Sequence, residues 1–499
     1  LRMTVVLPMV GLSALVGLVY LVFVYYRFVA RYPKGPIPLP FFGNMLSISG
    51  LTMHTDFKRF SETYGSVFTA FVPIPIVVLS DYEAVKEAFI TKGDDFSGRP
   101  LEVLDDEFVF CQNPGVINSN GDSWKENRRA AISILRDFGM GKNLMEEQVK
   151  ESLIEFLRCL DDMKDRSAVD MRWSIQLYVA NVINETLFGY RYKYDDCEPL
   201  VTYVEAFNRL IRELSDSLLR FVALKVRWIR HVPILGYYAV KRFLPDNYII
   251  LDYISKNVKK ALSEDDGSSE PTCFVHAYAR KIGTNPYLNH DQLNATCNDF
   301  FAAGQETTTT TLRWAVLLLA DNQEAQDKIR QEVLSVVGTD RLPSLADKPN
   351  LPYTSAAIHE IQRRANILMI NVVRRTTVDT EVMGVKIPKD TFVNGDIHMI
   401  MENDPVFVDS NKFMPERYLT EDGKTLRKDL VERTVPFSIG KRQCAGEGMA
   451  RVELFLGVTG LLQRYRISPS SDKPIDLEPD ASLIMLPKPQ TLRLDRVVV

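Results

Sequence analysis

Residues 437–446 read FSIGKRQCAG, and the sulfur of Cys444 is the most informative atom in the stretch. Gly440 and Gly446 frame this cysteine, Lys441 and Arg442 precede it, and a helix-forming run, 447–455, follows. That order describes a loop presenting one thiol at a helix N-terminus, where backbone N–H groups and the helix dipole favour negative charge. A thiolate held there is a soft, strongly donating metal ligand. A lone cysteine is more often a small buried hydrophobe, and each glycine could serve only a turn. A metal held by a single thiolate must find its other donors elsewhere, and a porphyrin supplies four.

The spacing F-x-x-G-x-R-x-C-x-G resembles the haem-binding signature of the cytochrome P450 family. The resemblance implies that Cys444 is the axial ligand of the haem iron. It also implies that Phe437 covers the sulfur, Gly440 turns the loop and Arg442 pairs with a haem propionate. The cofactor so implied is haem b, iron protoporphyrin IX.

Residues 298–314 read NDFFAAGQETTTTTLRW. The threonines at 307–311 are poor intrinsic helix formers. Inside a buried helix they would bond back to carbonyls one turn earlier. Ala303 and Gly304 are small enough for such a helix to lie against a planar ligand. The segment A-G-Q-E-T-T resembles the family's oxygen-activating helix, which implies that Thr307 hydrogen-bonds bound dioxygen and that Glu306 relays protons. Splitting an O–O bond needs protons delivered without flooding the site with water. Thr308 to Thr311 are left to helix packing.

Glu360 and Arg363 stand three apart in HEIQRR and share a helix face; an E-x-x-R pair alone is a weak signal. With Arg417 of FMPERY they resemble the family's structural triad, which locks the core behind the thiolate loop. Arg364, beside them, reads as a solvated charge. Trp124 and Arg128, four apart in DSWKENRR, resemble the pair that contacts a propionate, and Arg374 matches a position facing the other one, with Arg375 competing. The stretches FSGRP (96–100) and SNGDSWKENRR (119–129) look most like animal microsomal members that oxidise lipids and foreign compounds. Two departures stand out: ANILMINVV lacks the usual prolines, and Gln305 stands where threonine is frequent.

The chain has 499 residues, 46% hydrophobic and 25% charged, with a net charge of −4. That balance does not point to a nucleic-acid partner. Cysteines at 111, 159, 197, 273, 297 and 444 form no C-x-x-C pair, so zinc and a disulfide framework are not indicated. Residues 3–26 carry no charge, and as a helix they would span roughly 36 Å, enough for a hydrocarbon core of about 30 Å. Arg27, Arg31 and Lys34 follow, against Arg2 before, which places the remainder in the cytosol. The segment ends in aromatics without a small-residue cleavage site, as a retained anchor does.

We expect three parts: a transmembrane anchor (1–28), a proline-rich hinge (29–44) and one haem-thiolate domain (45–499). The hinge, RYPKGPIPLPFFGN, carries prolines that stiffen it and forbid helix. Patterning predicts a helix at 54–64, strands at 66–72 and 76–79, helices at 145–160, 173–188 and 323–337, and strands at 371–378, 381–387 and 391–394. The fold class is mainly α (α+β), a helix-rich body with small sheets.

By resemblance the pocket is lined by Phe108, Phe110, Phe300, Phe301, Ala303, Leu368, Val372 and Ile484, which suits a lipophilic substrate. No dinucleotide fingerprint is present, so electrons come from outside. The resemblance implies NADPH–cytochrome reductase, with cytochrome b5 as a helper, at the endoplasmic reticulum membrane. Lys125, Arg128, Arg129 and Lys441 could attract an acidic partner. The reaction implied is insertion of one oxygen atom of O2 into a fatty acid, steroid or xenobiotic. Two alternatives remain open: a haem-thiolate isomerase or dehydratase of peroxides, and a non-enzymatic haem-based ligand binder. The intact Glu306–Thr307 pair favours the monooxygenase.

Overall fold

A computed structural model describes residues 2–48, 52–100, 115–138, 143–216, 227–267, 269–368, 370–480 and 483–497. The chain divides into two compact units, Leu1–Pro100 with Ile370–Met399, and Leu101–Met369 with Ile400–Val499.

The first unit begins with the helix Arg2–Val29. Its segment Leu12–Val29 has a mean hydropathy of 1.9 and 0% of it is buried. An apolar helix without protein cover is suited to lipid. The proline bridge that follows is fixed at several points. Tyr25 and Tyr26 donate their hydroxyls to the carbonyls of Leu39 and Pro38, at 3.1 and 3.3 Å. Asn44 accepts from Phe71 N at 2.8 Å and donates to Pro36 O at 3.1 Å. A Cβ at Gly35 or Gly43 would lie 2.0 or 2.2 Å from a carbonyl oxygen of Thr69 or Phe71, so both glycines let the bridge seat on the strand Val67–Val72.

That strand opens a four-stranded sheet, in spatial order Val67–Val72, Ile74–Leu79, Phe392–Gly395 and Arg374–Arg375. The second and third strands run parallel from Ile76↔Phe392 to Leu79↔Gly395. Pro75 stands just outside that ladder, where its missing N–H is harmless. The strand expected at 371–378 shrinks to Arg374–Arg375, the two residues that pair with Phe392 and Val393. The strand expected at 381–387 is a hairpin, Thr380–Val382 and Val385–Ile387, turned by Met383 and Gly384 at φ 51° and 75°, the geometry of a type I′ turn.

The second unit is helical. Its axis is the helix His290–Asp321, started by Asn289, which accepts from Gln292 N at 2.9 Å. The helix Arg172–Phe188, buried at nearly every position, packs along it. Glu447–Arg464 packs against both His290–Asp321 and the helix Asn143–Asp161. Gly457 and Gly460 face Tyr178 and Leu153 closely. The helices expected at 145–160, 173–188 and 323–337 occur as Asn143–Asp161, Arg172–Phe188 and Gln323–Val337. The C-terminal strand Leu492–Arg496 pairs antiparallel with Tyr465–Pro469.

Candidate active site

The thiolate loop is built by its glycines and its own backbone. Gly440 has φ 77°, a conformation that glycine adopts without strain. Gln443 N donates to Gly440 O and Cys444 N to Phe437 O, both at 2.9 Å, which closes the turn. Gly446 is the N-cap of Glu447–Arg464, and the N–H groups of Gly446 and Glu447 point at the Cys444 sulfur. Cys444 is exposed, yet desolvation by surrounding protein is the largest influence on its thiol and pushes it up. The thiol thus lies open to solvent on the wall of a recess that protein atoms otherwise enclose. The two N–H groups and the Arg128 guanidinium oppose the rise, and a metal would complete deprotonation. Phe437 lies under the Arg451 guanidinium, 4.9 Å from its ring centre.

Cations gather beside this loop. Arg128 donates to Gln443 O, so it grips the residue preceding the cysteine. Arg442 is buried, stacks on the Trp124 ring at 3.7 Å and donates to Ser119 O at 2.6 Å. The loop bearing that carbonyl is held from the other side by Asp299, whose carboxylate accepts from Val116 N and Ile117 N at 2.7 and 2.8 Å. Trp124 is buried, and its Nε1 has no hydrogen-bond partner among the described residues. A buried indole N–H beside a guanidinium is completed by an anionic oxygen. A thiol at a helix N-terminus and a corner for carboxylates are the donor set that haem requires, so these residues fit it.

The brace stands in the same unit. Glu360, fully buried, accepts from Arg363 Nε at 2.8 Å and Nη2 at 2.9 Å, and from Arg417 Nε at 3.2 Å. Met414 N adds a bond at 3.0 Å. Arg363 spends further donors on Met401 O and Ser410 O, at 3.1 and 2.7 Å. This buried carboxylate accepts from four donors on three residues, which is what makes a buried charge tolerable. Arg364 departs from the solvated charge expected of it. It is half-buried, and desolvation lowers its basicity.

The threonine helix shows two faces. Ala303 is exposed and Thr307 half-buried in the middle of an otherwise covered helix. The Thr307 hydroxyl donates to Ala303 O at 2.7 Å, and Thr309 and Thr311 bond back to Gln305 O and Thr307 O, at 2.6 and 2.9 Å. Gly304 serves packing, since a Cβ there would meet Ile183 at 3.2 Å. Glu306 is buried and accepts from Thr310 at 3.2 Å. Burial pushes its carboxyl up, and Arg313 is the foremost influence pulling the other way. Thr308 bonds the carboxyl of Glu453, a buried acid whose proton is held tightly. Glu453 and Asp299 belong to no motif. Arg313 could have been found by its helical spacing from Glu306 and Thr310.

The expected pocket residues scatter. Phe301 is fully buried, with ring centres of Tyr203 and Tyr253 at 4.9 and 5.2 Å, and packs into the aromatic core. Phe300 is half-buried, edge-on to Phe274 at 5.6 Å. Leu368 and Ile484 pair across a β-bridge. Val372 and Arg374 lie in the first unit: Val372 is 46% exposed, whereas Arg374 is buried with its guanidinium 3.4 Å from the Phe89 ring centre. Arg375 is engaged by Asp390 at 2.5 Å and by Arg99 O at 3.1 Å. Phe108 and Phe110 lie outside the described residues.

A sequence model of the cytochrome P450 family matches residues 33–494. The chain belongs to the cytochrome P450 family. It is 36% identical over 470 residues to cytochrome P450 2H2 of Gallus gallus, covering 92% of both chains. It is 35% identical over 459 residues to cytochrome P450 2C8 of Homo sapiens, covering 89% of both. It is 34% identical over 456 residues to cytochrome P450 2G1 of Oryctolagus cuniculus, covering 88% of both. As a cytochrome P450 the chain is an oxidoreductase of the monooxygenase class with the helix-rich fold of that family, and its cofactor is haem b. The expected family, fold class and cofactor therefore hold.

Proposed function

We propose that this cytochrome P450 inserts one oxygen atom of O2 into a lipophilic substrate, a fatty acid, steroid or xenobiotic, and reduces the other to water. Electrons come from NADPH through a reductase, with cytochrome b5 as a second donor. The anchor (1–28) and hinge (29–44) hold the domain (45–499) at the cytosolic face of the endoplasmic reticulum membrane. The bare apolar helix Leu12–Val29 supports the anchoring.

One observation carries the chemistry. Cys444 is accessible at a helix N-terminus, with two N–H groups aimed at its sulfur. Haem, when bound, would supply dioxygen activation, which thiolate ligation favours. The chain's residues do the rest. Cys444 would hold the iron, and the loop's N–H groups would spread the thiolate charge. Trp124, Arg442 and Arg128 would hold the propionates, with Arg374 a further candidate by resemblance; Arg128 also ties down Gln443. Glu360, Arg363 and Arg417 keep the segment behind the loop rigid. Thr307 offers a hydroxyl on the accessible face of its helix, and Glu306 holds a proton behind it, shielded from bulk water. Phe300, Ala303, Leu368 and Ile484 supply apolar surface for the substrate, and Val372, Phe108 and Phe110 are further candidates by resemblance alone. Lys125 and Arg129 remain candidates for reductase docking. Both are exposed, and each pairs with an acid of its own helix, Asp122 and Glu126.

The test is reconstitution with the reductase and NADPH in lipid, screening fatty acids, steroids and drug-like compounds for a low-spin to high-spin shift and for oxygenated product. Product carrying one atom from labelled O2 is expected. Turnover of hydroperoxides without reductase, and no product with it, would favour the isomerase reading.

A further inference from the structure

Gln305 stands in the threonine helix where the family often has threonine. It is fully buried, and Gln176 of the helix Arg172–Phe188 is buried with it. Gln176 Nε2 donates to Gln305 Oε1 and, at 3.3 Å, to Gln305 O. The same carbonyl accepts from the Thr309 hydroxyl at 2.6 Å. One residue earlier the two helices touch, since a Cβ at Gly304 would meet Ile183 at 3.2 Å. Gln176 and Ile183 are seven residues apart, so they share a face of their helix and lie about 10 Å apart along its axis. A single contact would let the threonine helix pivot. Two separated contacts, behind residues 304 and 305, fix its rotation as well as its height. At 3.6 residues per turn Gln305 points away from Ala303 and Thr307. Burial agrees: Gln305 is covered, Ala303 is exposed and Thr307 partly so.

Stability alone does not call for two glutamines here. Burying an amide is costly unless it is hydrogen-bonded, and an ordered glutamine loses much rotamer freedom. Replacing both partners of a buried bond by apolar groups of the same shape is often nearly neutral. Gln305 Nε2 is also buried without a partner among the described residues, so the pair is not arranged for greatest stability. What a directional bond adds over an apolar contact is one defined arrangement.

We propose that the Gln176–Gln305 amide pair positions the oxygen chemistry. It holds the turn from Ala303 to Thr307 at one rotation and height, and so sets where the Thr307 hydroxyl stands over the cofactor. The proposal rests on the role proposed for Thr307. Both glutamines act through the turn, from its covered side, and are positioning residues.

The experiment compares wild type with Gln176→Met combined with Gln305→Met in the intact holoenzyme. That variant keeps side-chain length and leaves neither amide unpaired, so its denaturant midpoint should stay close to wild type. Hydrogen exchange of the backbone amides at 303–309 should quicken several-fold. The C–O stretch of the reduced carbon-monoxide complex should shift or broaden. Product per NADPH should fall several-fold, with hydrogen peroxide rising in step. Unchanged exchange or an unchanged C–O stretch overturns the proposal. So does unchanged coupling in this variant when Thr307→Ala uncouples. Failure of the underlying reading looks different: Thr307→Ala then leaves coupling unchanged, and exchange with the C–O stretch still decides whether the pair holds the turn. If the methionine variant does not retain haem, Gln176→Leu combined with Gln305→Thr decides by the same readouts.

Discussion

The Arg442 guanidinium stacks on the Trp124 ring at 3.7 Å, while the indole N–H of that ring is buried without a partner among the described residues. A cation and a donor thus meet at one corner beside the thiolate loop. If this corner holds a propionate, Trp124→Phe keeps the ring and removes the hydrogen bond. Bonds to charged groups contribute about 1.5–3 kcal/mol, so haem should transfer to a scavenging globin about ten- to a hundredfold faster. Arg442→Lys loses the planar stack as well and should be worse. Transfer at the wild-type rate in both variants would remove the corner from haem binding.

Glu360 is enclosed by Arg363 and Arg417 with no solvent to spread its charge. Arg363→Ala should therefore cost about 3–5 kcal/mol, the penalty for a buried charge left without its partner. Arg363→Lys should recover little, because an ammonium cannot reproduce the two-toothed contact. Denaturant midpoints of the holoenzyme measure this. A loss under about 1 kcal/mol would place the pair with ordinary surface bridges.

Thr307 and Thr309 make the same bond to a carbonyl one turn back, but Thr309 is buried and Thr307 is partly accessible. Thr307→Ala should lower product per NADPH several-fold, and Thr307→Ser should restore it. Thr309→Ala should reduce stability and leave coupling unchanged. If both threonines affect coupling equally, the accessible hydroxyl has no special role.

His359 stacks on Tyr418 at 5.5 Å. Desolvation foremost, then Arg451 and Lys348, lower its pKa from 6.5 to about 3. The unfolded chain therefore binds a proton that the folded chain refuses between those values. Stability from this residue is complete above about pH 6.5 and falls as pH drops toward 3. His359→Phe should flatten the pH dependence of the denaturant midpoint over that window. An unchanged slope would show that His359 titrates normally in the folded protein.

The thiolate loop was legible because its residue types encode local backbone: Gly440 makes the turn and Gly446 starts the helix. The E-x-x-R pair was legible for the same reason, while the arrival of Arg417 at Glu360 depends on packing over distant sequence. Phe300 and Phe301 could not be told apart by pattern. The helix is buried on most sides, so neighbouring phenylalanines both look internal, and only the aromatic cluster around Phe301 separates them. The strand at 371–378 was overestimated because β-branched composition signals extended chain, whereas only Arg374 and Arg375 find ladder partners. Asp299 and Glu453 were missed because a single acid carries no spacing. Their roles arise from the groups that folding brings to them.

The central claim, a haem iron held by the Cys444 thiolate, is tested most directly by the absorption spectrum of the reduced, carbon-monoxide-bound protein. The wild-type chain should show the long-wavelength band of thiolate-ligated haem, and Cys444→Ser should lose it while keeping a folded far-ultraviolet dichroism spectrum. The same band in Cys444→Ser would contradict the account.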